Sequence, residues 1–411
     1  MKLVKKLRMM NKPLINIFLC IHNKKLALKM LRYTNALQHV NKADVKPDES
    51  TKDDGKEYHL LNDDIYQKHM VFTKMYEEDK FIQENYRKLR IILHPFEIIQ
   101  TTIIPRLIRS GEKIKITNAF MKMYEFLVYI YPYIEKHITD GKLTMYDVAG
   151  APGMFVLAAD YFFRKRNVEL DWHACSLMNT EENHALEDTY KLFHDNPDRF
   201  TPCDVTNEND IKNCLKGNRK YFLVTGDIGA WYESYDILQE FQQLDLEWGQ
   251  MVLALNLCAE HGVMFLKMYT TITAETAYLM DTLTLFFKEV YITKPRTSRI
   301  LNNESYIICV DRNKESCKDI PLKRPSVGNY QSKNRDVLLT FENAREDYKL
   351  QIATAVIDVL KNKDNHIRMN ELIKVSPVYA EFYKTIEKIY NILINRVKDN
   401  AFVKAYQYVV K

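Results

Sequence analysis

An apolar segment that runs into a glycine turn and then into a helix constrains the fold of this chain most. Residues 147–162, DVAGAPGMFVLAADYF, pass from a strand pattern through small residues into a helical pattern. Gly150 and Gly153 permit tight backbone geometry, and free N–H groups at the helix start can receive a polar or anionic group. The segment predicts a strand–turn–helix unit that holds a cofactor, with a plain Gly/Pro loop as the competing interpretation.

Short apolar runs alternate with longer helical segments around this turn. The strand candidates are Leu143–Val148, Trp172–Leu177, Arg199–Cys203, Tyr221–Thr225, Val263–Met268, Glu289–Thr293 and Tyr306–Val310. The helix candidates are Phe155–Arg164, Asn183–Phe193, Leu238–Cys258 and Ala274–Phe287. Such alternation predicts an α/β fold with a mostly parallel, seven-stranded sheet and helices on both faces. The short link through Pro295 holds no helix, so we expect the last strand to be antiparallel.

The 411 residues suffice for two or three domains. We predict a basic helical N-terminal region over residues 1–90, with helical spacing up to about Val40 and an exposed charged linker near 41–59. A catalytic domain over 91–315 and a helical C-terminal region over 316–411 follow. A further helix is predicted over Lys113–His137, with Thr117 or Asn118 as its cap.

Composition excludes some classes of protein and leaves others open. The seven cysteines form no CxxC pair, which predicts reduced thiols, no metal site and a reducing compartment, chiefly the cytoplasm with the nucleus possible. We find no apolar run of the roughly 18 residues that a membrane span needs, so we expect no membrane partner. A net charge of +5 is only mildly basic, and nucleic-acid binding must therefore rest on local clusters.

Four charged residues lie near the ends of predicted strands or helices that can face one crevice. They are Lys122, Asp227, Lys267 and Glu304. Methyl transfer to a ribose 2′-hydroxyl needs in-line approach and a group that removes the hydroxyl proton. An isolated lysine is protonated, but a second lysine about 5 Å away would lower its pKa by roughly two units. We therefore expect Lys122 to make Lys267 neutral, although each residue alone is more often a rim charge or a turn former.

The glycine pattern also bears on the kind of cofactor. It lacks the third glycine of a dinucleotide motif, and the second strand ends at Ser176 without an acid, so a nicotinamide dehydrogenase is disfavoured. Asp204, after the third strand, can accept a hydrogen bond from an adenine amino group. Helix capping ahead of Ile211 is the alternative role for Asp204.

These residues resemble a known family. TNAFMKMYEFL, VAGAPGMF, LVTGDIG, GVMFLKMYT and YITKPRTSRILNNESYIICV are similar to FtsJ/RrmJ-type 2′-O-methyltransferases, and more closely to the adrift-type cap enzymes of eukaryotes and large cytoplasmic DNA viruses. The resemblance implies a Rossmann-like methyltransferase fold and S-adenosylmethionine as cofactor. It implies Lys122, Asp227, Lys267 and Glu304 as catalytic residues, Lys267 being the proton acceptor. Gly150, Gly153 and Asp204 would contact the cofactor, and Ser176 would replace the missing acid.

The resemblance implies RNA, chiefly the 5′ cap region of mRNA, as the substrate, and other capping or transcription subunits as further partners. If the chain is viral, the host cytoplasm or the virion is the expected location. Lys294, Arg296 and Arg299 form a basic cluster expected to contact RNA, and Trp231 and Tyr232 could stack on a base. Two alternatives stay open, namely an FtsJ-like enzyme for ribosomal or transfer RNA and an inactive RNA-binding subunit of a capping complex.

Overall fold

The computed structural model describes residues 37–40, 59–95, 116–178, 187–229, 238–313, 317, 320–328, 330–362 and 367–397. Eight strands form one sheet. They are β1 (Leu37–Val40), β2 (Lys142–Val148), β3 (Glu169–Ser176), β4 (Phe200–Pro202), β5 (Tyr221–Gly226), β6 (Cys258–Met268), β7 (Phe287–Thr293) and β8 (Ser305–Arg312). Their order across the sheet is β1-β7-β8-β6-β5-β2-β3-β4.

The pairing confirms the predicted α/β fold. Strands β2 to β6 pair in parallel, whereas β8 lies antiparallel between β6 and β7. All seven predicted strands are present. The carboxyl ends of β2, β3, β5 and β6 therefore meet at one edge of the sheet, where ligands bind in open α/β folds.

Ten α-helices are described. They are α1 (Asp63–Glu78), α2 (Lys80–Ile92), α3 (Asn118–Ile134), α4 (Met154–Arg164), α5 (Glu208–Cys214), α6 (Leu238–Leu257), α7 (Ala274–Thr284), α8 (Arg335–Asn362), α9 (Met369–Val375) and α10 (Pro377–Val397). Thr117 caps α3 as predicted, because its hydroxyl accepts a hydrogen bond from Phe120 N. In the described part of the chain, no helix is both long and apolar enough to cross a bilayer.

The helices cover both faces of the sheet with apolar side chains. Phe126 of α3 and Phe155 of α4 pack on Phe265 of β6 on one face, while α6 and α7 cover the other. The first of these cores also includes Leu89 of α2 and Ile386 of α10. The described helices of both flanks therefore share a core with the sheet and its covering helices.

Two local predictions were wrong. Residues 37–40, expected to be helical, add strand β1 to the edge of the sheet by pairing antiparallel with β7, so the sheet has eight strands and not seven. Residues 187–193, expected to end a helix, form turns instead, where the Asp188 carboxylate accepts backbone N–H bonds from Leu192 and Phe193. Aspartate in such a turn competes with the helical pattern of backbone hydrogen bonds.

Candidate active site

The four charged residues singled out in the sequence converge on one point. Lys122 Nζ lies 2.6 Å from Glu304 Oε1, and Lys267 Nζ lies 3.3 Å from Asp227 Oδ1 and 3.8 Å from Glu304 Oε2. Two amines and two carboxylates thus form a continuous chain of ion pairs. The geometric requirement of the sequence hypothesis is met.

Neighbouring elements bring these residues together. Asp227 directly follows β5, and Lys267 is near the end of the adjacent β6. Glu304 precedes β8, whose antiparallel register sets Tyr306 opposite Lys267. Lys122 enters from α3, which packs over this end of the sheet.

Tyr306 stands at the centre of the group, and the sequence analysis missed it. Its hydroxyl donates to Asp227 Oδ1 at 2.9 Å and accepts from Lys122 Nζ at 3.2 Å. Its ring is fully buried and stacks on Phe265 at 4.6 Å. Tyr306 opens the predicted last strand only two residues after Glu304, and this nearness in the chain is the signal that could have found it. We call Lys122, Asp227, Lys267, Glu304 and Tyr306 the charged cluster.

The electrostatics correct the prediction that Lys267 is neutral. Burial lowers the pKa of Lys267, but the negative charges of Asp227 and Glu304 and the nearby Tyr269 outweigh it, so the pKa is raised above its ordinary value. Burial alone would raise the pKa of Glu304, yet Lys122, Lys267 and Lys294 hold that pKa well below its usual range. In this arrangement the carboxylates decide the charge of Lys267.

Exposure divides the charged cluster into a buried part, Lys122 and Glu304, and a mouth that faces solvent, Lys267 and Asp227. The side chains of Lys122 and Glu304 are 6% and 5% exposed, whereas those of Lys267 and Asp227 are 13% and 22% exposed. A substrate that enters from solvent therefore meets Lys267 and Asp227 first. Lys122 and Glu304 position these two from beneath.

Residues 294–304, which link β7 to β8, are held by hydrogen bonds to other groups of the protein. Lys294 Nζ donates to Asn302 O, to Asn302 Oδ1 and to Glu304 O, at 2.7 to 2.9 Å. Ser298 Oγ donates to Glu304 Oε1 at 2.6 Å. Lys294, predicted to contact RNA, spends its three donors on this link, so a phosphate would have to displace internal acceptors to reach it.

Two further elements anchor the same link. The buried Glu125 carboxylate of α3 accepts from the backbone N–H groups of Arg296 and Thr297, both at 3.0 Å. From α8, Arg345 donates to Asn303 O at 3.1 Å and Lys349 to Asn303 Oδ1 at 3.4 Å. The C-terminal helices therefore support the backbone next to Glu304.

The glycine turn after β2 is braced by β3. Gly150 N donates to Cys175 O at 2.9 Å, and Ala151 N donates to Ser176 Oγ at 3.4 Å. Gly153 has a φ of +92°, a conformation that favours glycine, and a Cβ on Gly150 would lie 2.7 Å from Asp147 Oδ2. The turn has no room for larger side chains, and Ser176 serves at least to hold it.

Asp204 lies half-exposed just beyond β4, at the same edge of the sheet. Its Oδ1 accepts from Thr206 N at 2.8 Å and from Thr206 Oγ1 at 2.7 Å. Asn207, and not Asp204, caps α5 with its side chain, so the helix-cap alternative does not hold.

Gly229 leaves open surface above Lys267. It is exposed, yet an added Cβ would lie 2.9 Å from Tyr269 Oη and 3.2 Å from Lys267 Nζ. The absence of a side chain keeps the approach to the Lys267 amine clear. Gly229 thus keeps the amine accessible, whereas Gly150 and Gly153 allow the turn to pack closely against Asp147 and Leu192.

The remaining sequence-predicted RNA contacts are placed differently from Lys294. Arg296 is half-exposed, and Arg299 is exposed with its Nε donating to His94 Nε2 at 2.8 Å. Both present cationic groups beside the link that carries Ser298. Trp231 and Tyr232 lie outside the described residues.

Comparisons with known proteins relate the part of the chain that forms most of the sheet to methyltransferases. Residues 116–312 match the family model of the FtsJ-like methyltransferases. An African swine fever virus protein named "Probable methyltransferase EP424R" is 32% identical over 216 residues, covering 48% of this chain and 49% of the viral one. The cap-specific mRNA (nucleoside-2′-O-)-methyltransferase 2 of Drosophila melanogaster is 26% identical, covering 50% of this chain and 31% of the fly protein. The chain thus spans about half the length of the viral relative.

Proposed function

Because residues 116–312 of this chain form an FtsJ-like methyltransferase domain, we propose that the protein methylates a ribose 2′-hydroxyl of RNA with S-adenosylmethionine as the donor. The convergence of the charged cluster carries this proposal, since it sets an amine and a carboxylate at an open mouth above a buried ion pair. The family match and the named cap-specific relatives point to the same chemistry.

The residues at the sheet edge suit this cofactor. Gly150 and Gly153 would admit it at the turn, Ser176 and Asp204 would lie beside its nucleoside, and Gly229 leaves the space between it and Lys267. When bound, S-adenosylmethionine supplies an electrophilic methyl group on a sulfonium sulfur. The carboxylates of the edge suit a ligand that carries a positive charge.

Lys267 and Asp227, the residues of the mouth, lie where the proton of the hydroxyl would be removed. Lys267 in its neutral form would accept the proton of the 2′-hydroxyl as the oxygen bonds to the methyl carbon and the bond from that carbon to sulfur breaks, with its electron pair left on sulfur. Asp227 and Glu304 then stabilise the resulting ammonium. These carboxylates raise the pKa of Lys267. Only a small fraction of Lys267 is therefore neutral, but that fraction is strongly basic. Lys122 and Tyr306 hold the carboxylates in place.

We propose the cap-proximal end of mRNA as the RNA substrate. Relatives from Drosophila melanogaster and Trypanosoma brucei carry the name of cap-specific mRNA (nucleoside-2′-O-)-methyltransferases, at 26% and 25% identity. The exposed Arg299 and half-exposed Arg296 beside the cluster suit a phosphate backbone. No observation favours ribosomal or transfer RNA over this substrate.

Radiolabelled S-adenosylmethionine tests the proposal directly. The full chain is incubated with matched capped and uncapped RNAs and with structured ribosomal and transfer RNA, and nuclease digestion maps the labelled ribose. We expect label on a 2′-oxygen near the cap, lost in Lys267→Ala. Equal labelling of capped and uncapped RNA would reject cap specificity, and RNA binding without any transfer would revive the inactive-subunit alternative.

A further inference from the structure

A cavity of about 180 Å³ lies between the β7–β8 link and the C-terminal helices α8 and α10. Ser298 is on its wall and also donates to Glu304, so the cavity lies one side chain away from the charged cluster. Its volume is below the roughly 300–1,000 Å³ of pockets that enclose a drug-sized ligand. The size suits a single base or sugar–phosphate unit.

The charged groups on this wall are basic side chains, and burial lowers the pKa of two of them, Lys294 and Lys349. Of the described residues that line the cavity, none is acidic, and the four charged ones are Lys294, Arg296, Arg345 and Lys349. Glu342 and Glu346 lie behind the wall, where they pair with Arg345 and Lys349.

Two of these four basic side chains, Arg296 and Arg345, have donor groups that a ligand could use. Lys294 is spent on the β7–β8 link. Arg296 is half-exposed and lines the cavity, and Nε of Arg345, which also lines it, is buried with no hydrogen-bond partner among the described residues. The cavity thus suits an anion, and a bound acceptor would satisfy such a donor.

Most of the rest of the wall is apolar or aromatic, with Ser298 and Thr385 as its uncharged polar side chains. Tyr348 of α8 is 37% exposed, and Phe382 of α10, Phe341 and Ile300 complete the surface. Aromatic side chains beside cations form the usual platform for an unpaired base and its phosphate. A purely anionic ligand such as sulfate would leave this apolar surface unused.

We propose that the cavity receives the base of the RNA nucleotide next to the methylated one, against Tyr348, while the phosphate of that nucleotide lies toward half-exposed Arg296. This inference rests on the proposed function, because it takes RNA as the substrate. It gives the C-terminal helices a part in substrate binding in addition to their support of Asn303. The nucleotide would fix the RNA register, and with it the ribose that reaches Lys267.

Filling the cavity tests the inference in the intact chain. Ala344 is an exposed helix residue on the wall, so Ala344→Trp blocks the cavity without entering the core. Gln351→Trp, exposed on the same helix and absent from the wall, is the matched control. Fluorescence anisotropy with a labelled capped RNA measures the Kd without cofactor, and initial rates give KM for RNA and for S-adenosylmethionine.

We expect Ala344→Trp to raise the Kd and KM for RNA about tenfold or more, with KM for the cofactor and the Tm unchanged. Tyr348→Ala and Arg296→Gln should act in the same direction, and Gln351→Trp should match the wild type. Wild-type RNA affinity in Ala344→Trp would overturn the inference while leaving the proposed function intact. Wild-type protein that transfers no methyl group to any RNA would overturn the proposed function, and the anisotropy measurement would still judge the cavity.

Discussion

The Tyr306 hydroxyl donates a hydrogen bond to Asp227 Oδ1 at 2.9 Å, although the two residues are 79 positions apart in the chain. The same hydroxyl accepts a hydrogen bond from Lys122, so Tyr306 connects the buried part of the charged cluster to Asp227 at its mouth. The fully buried ring, stacked on Phe265, cannot turn away. The position of Asp227 therefore depends on Tyr306.

Removal of this hydroxyl should affect turnover more than folding. We expect Tyr306→Phe to lower kcat about ten- to hundredfold, since Asp227 and Lys122 each lose a hydrogen bond, and to lower the free energy of unfolding by about 1 kcal/mol. Single-turnover rates and urea unfolding measure the two effects. Tyr146→Phe, which removes a hydroxyl from another buried tyrosine of the sheet, should leave kcat unchanged.

The rate of methyl transfer should rise with pH. The pKa of Lys267 is above its ordinary value, so its neutral form is the minority below that pKa and increases about tenfold for each pH unit. We expect single-turnover rates to climb through pH 6 to 9 without a plateau. A plateau near pH 7 would show instead that bound RNA and cofactor lower the pKa of Lys267, and Lys267→Arg should be inactive throughout.

Variants of the buried ion pair between Lys122 and Glu304 should affect stability and activity differently. Glu304→Gln leaves Lys122 without its charge partner, and we expect the free energy of unfolding to fall by about 3 kcal/mol. The double variant Lys122→Met with Glu304→Leu should recover much of this loss, because it leaves neither charge unpaired. It should stay inactive, so recovered activity would contradict the positioning role of the pair.

Gly229 should be needed for catalysis and not for folding. The Cβ of Gly229→Ala would press on the flexible ends of Lys267 and Tyr269, which can move. We expect an unchanged Tm and a kcat lowered at least about tenfold, since a small displacement of a reacting group is costly. Gly217→Ala, where no atom lies within 4 Å of the added Cβ, should behave as the wild type in both assays.

The carboxyl group of Asp147 should make stability depend on pH. Burial raises the pKa of Asp147 to about 7, against the opposing effect of the hydrogen bond from Thr225 and with a further rise from Asp227. The folded state thus binds the proton more tightly than the unfolded state. The contribution to stability is complete below about pH 4 and is lost as the pH rises toward 7, by as much as about 4 kcal/mol.

Urea unfolding at pH 5 and pH 8 checks this effect through its difference between variants. Asp147→Asn keeps an oxygen acceptor for Thr225 but cannot ionise, so its free energy of unfolding should fall less than that of the wild type over this range. Parallel losses in both proteins would mean that Asp147 does not titrate in the folded state between these pH values.

Seven strands, the glycine turn and the four charged positions near the strand ends could be predicted from the sequence. These features are local: strand and helix patterns depend on near neighbours, and the ends of parallel strands meet at one edge whatever fills the loops. For that reason Lys122, Asp227, Lys267 and Glu304 could be named before any coordinates were known.

The electrostatic surroundings of those residues depend on how distant parts of the chain pack together. The pKa of Lys267 is the balance of burial against Asp227 and Glu304, and such a sum over groups distant in sequence can take either sign. Lys294 turned inward because its acceptors lie on the link it holds, and strand β1 formed because β7 offered an open edge. The cavity beside Ser298 depends on helices whose sequence showed only apolar spacing, so packing alone created it.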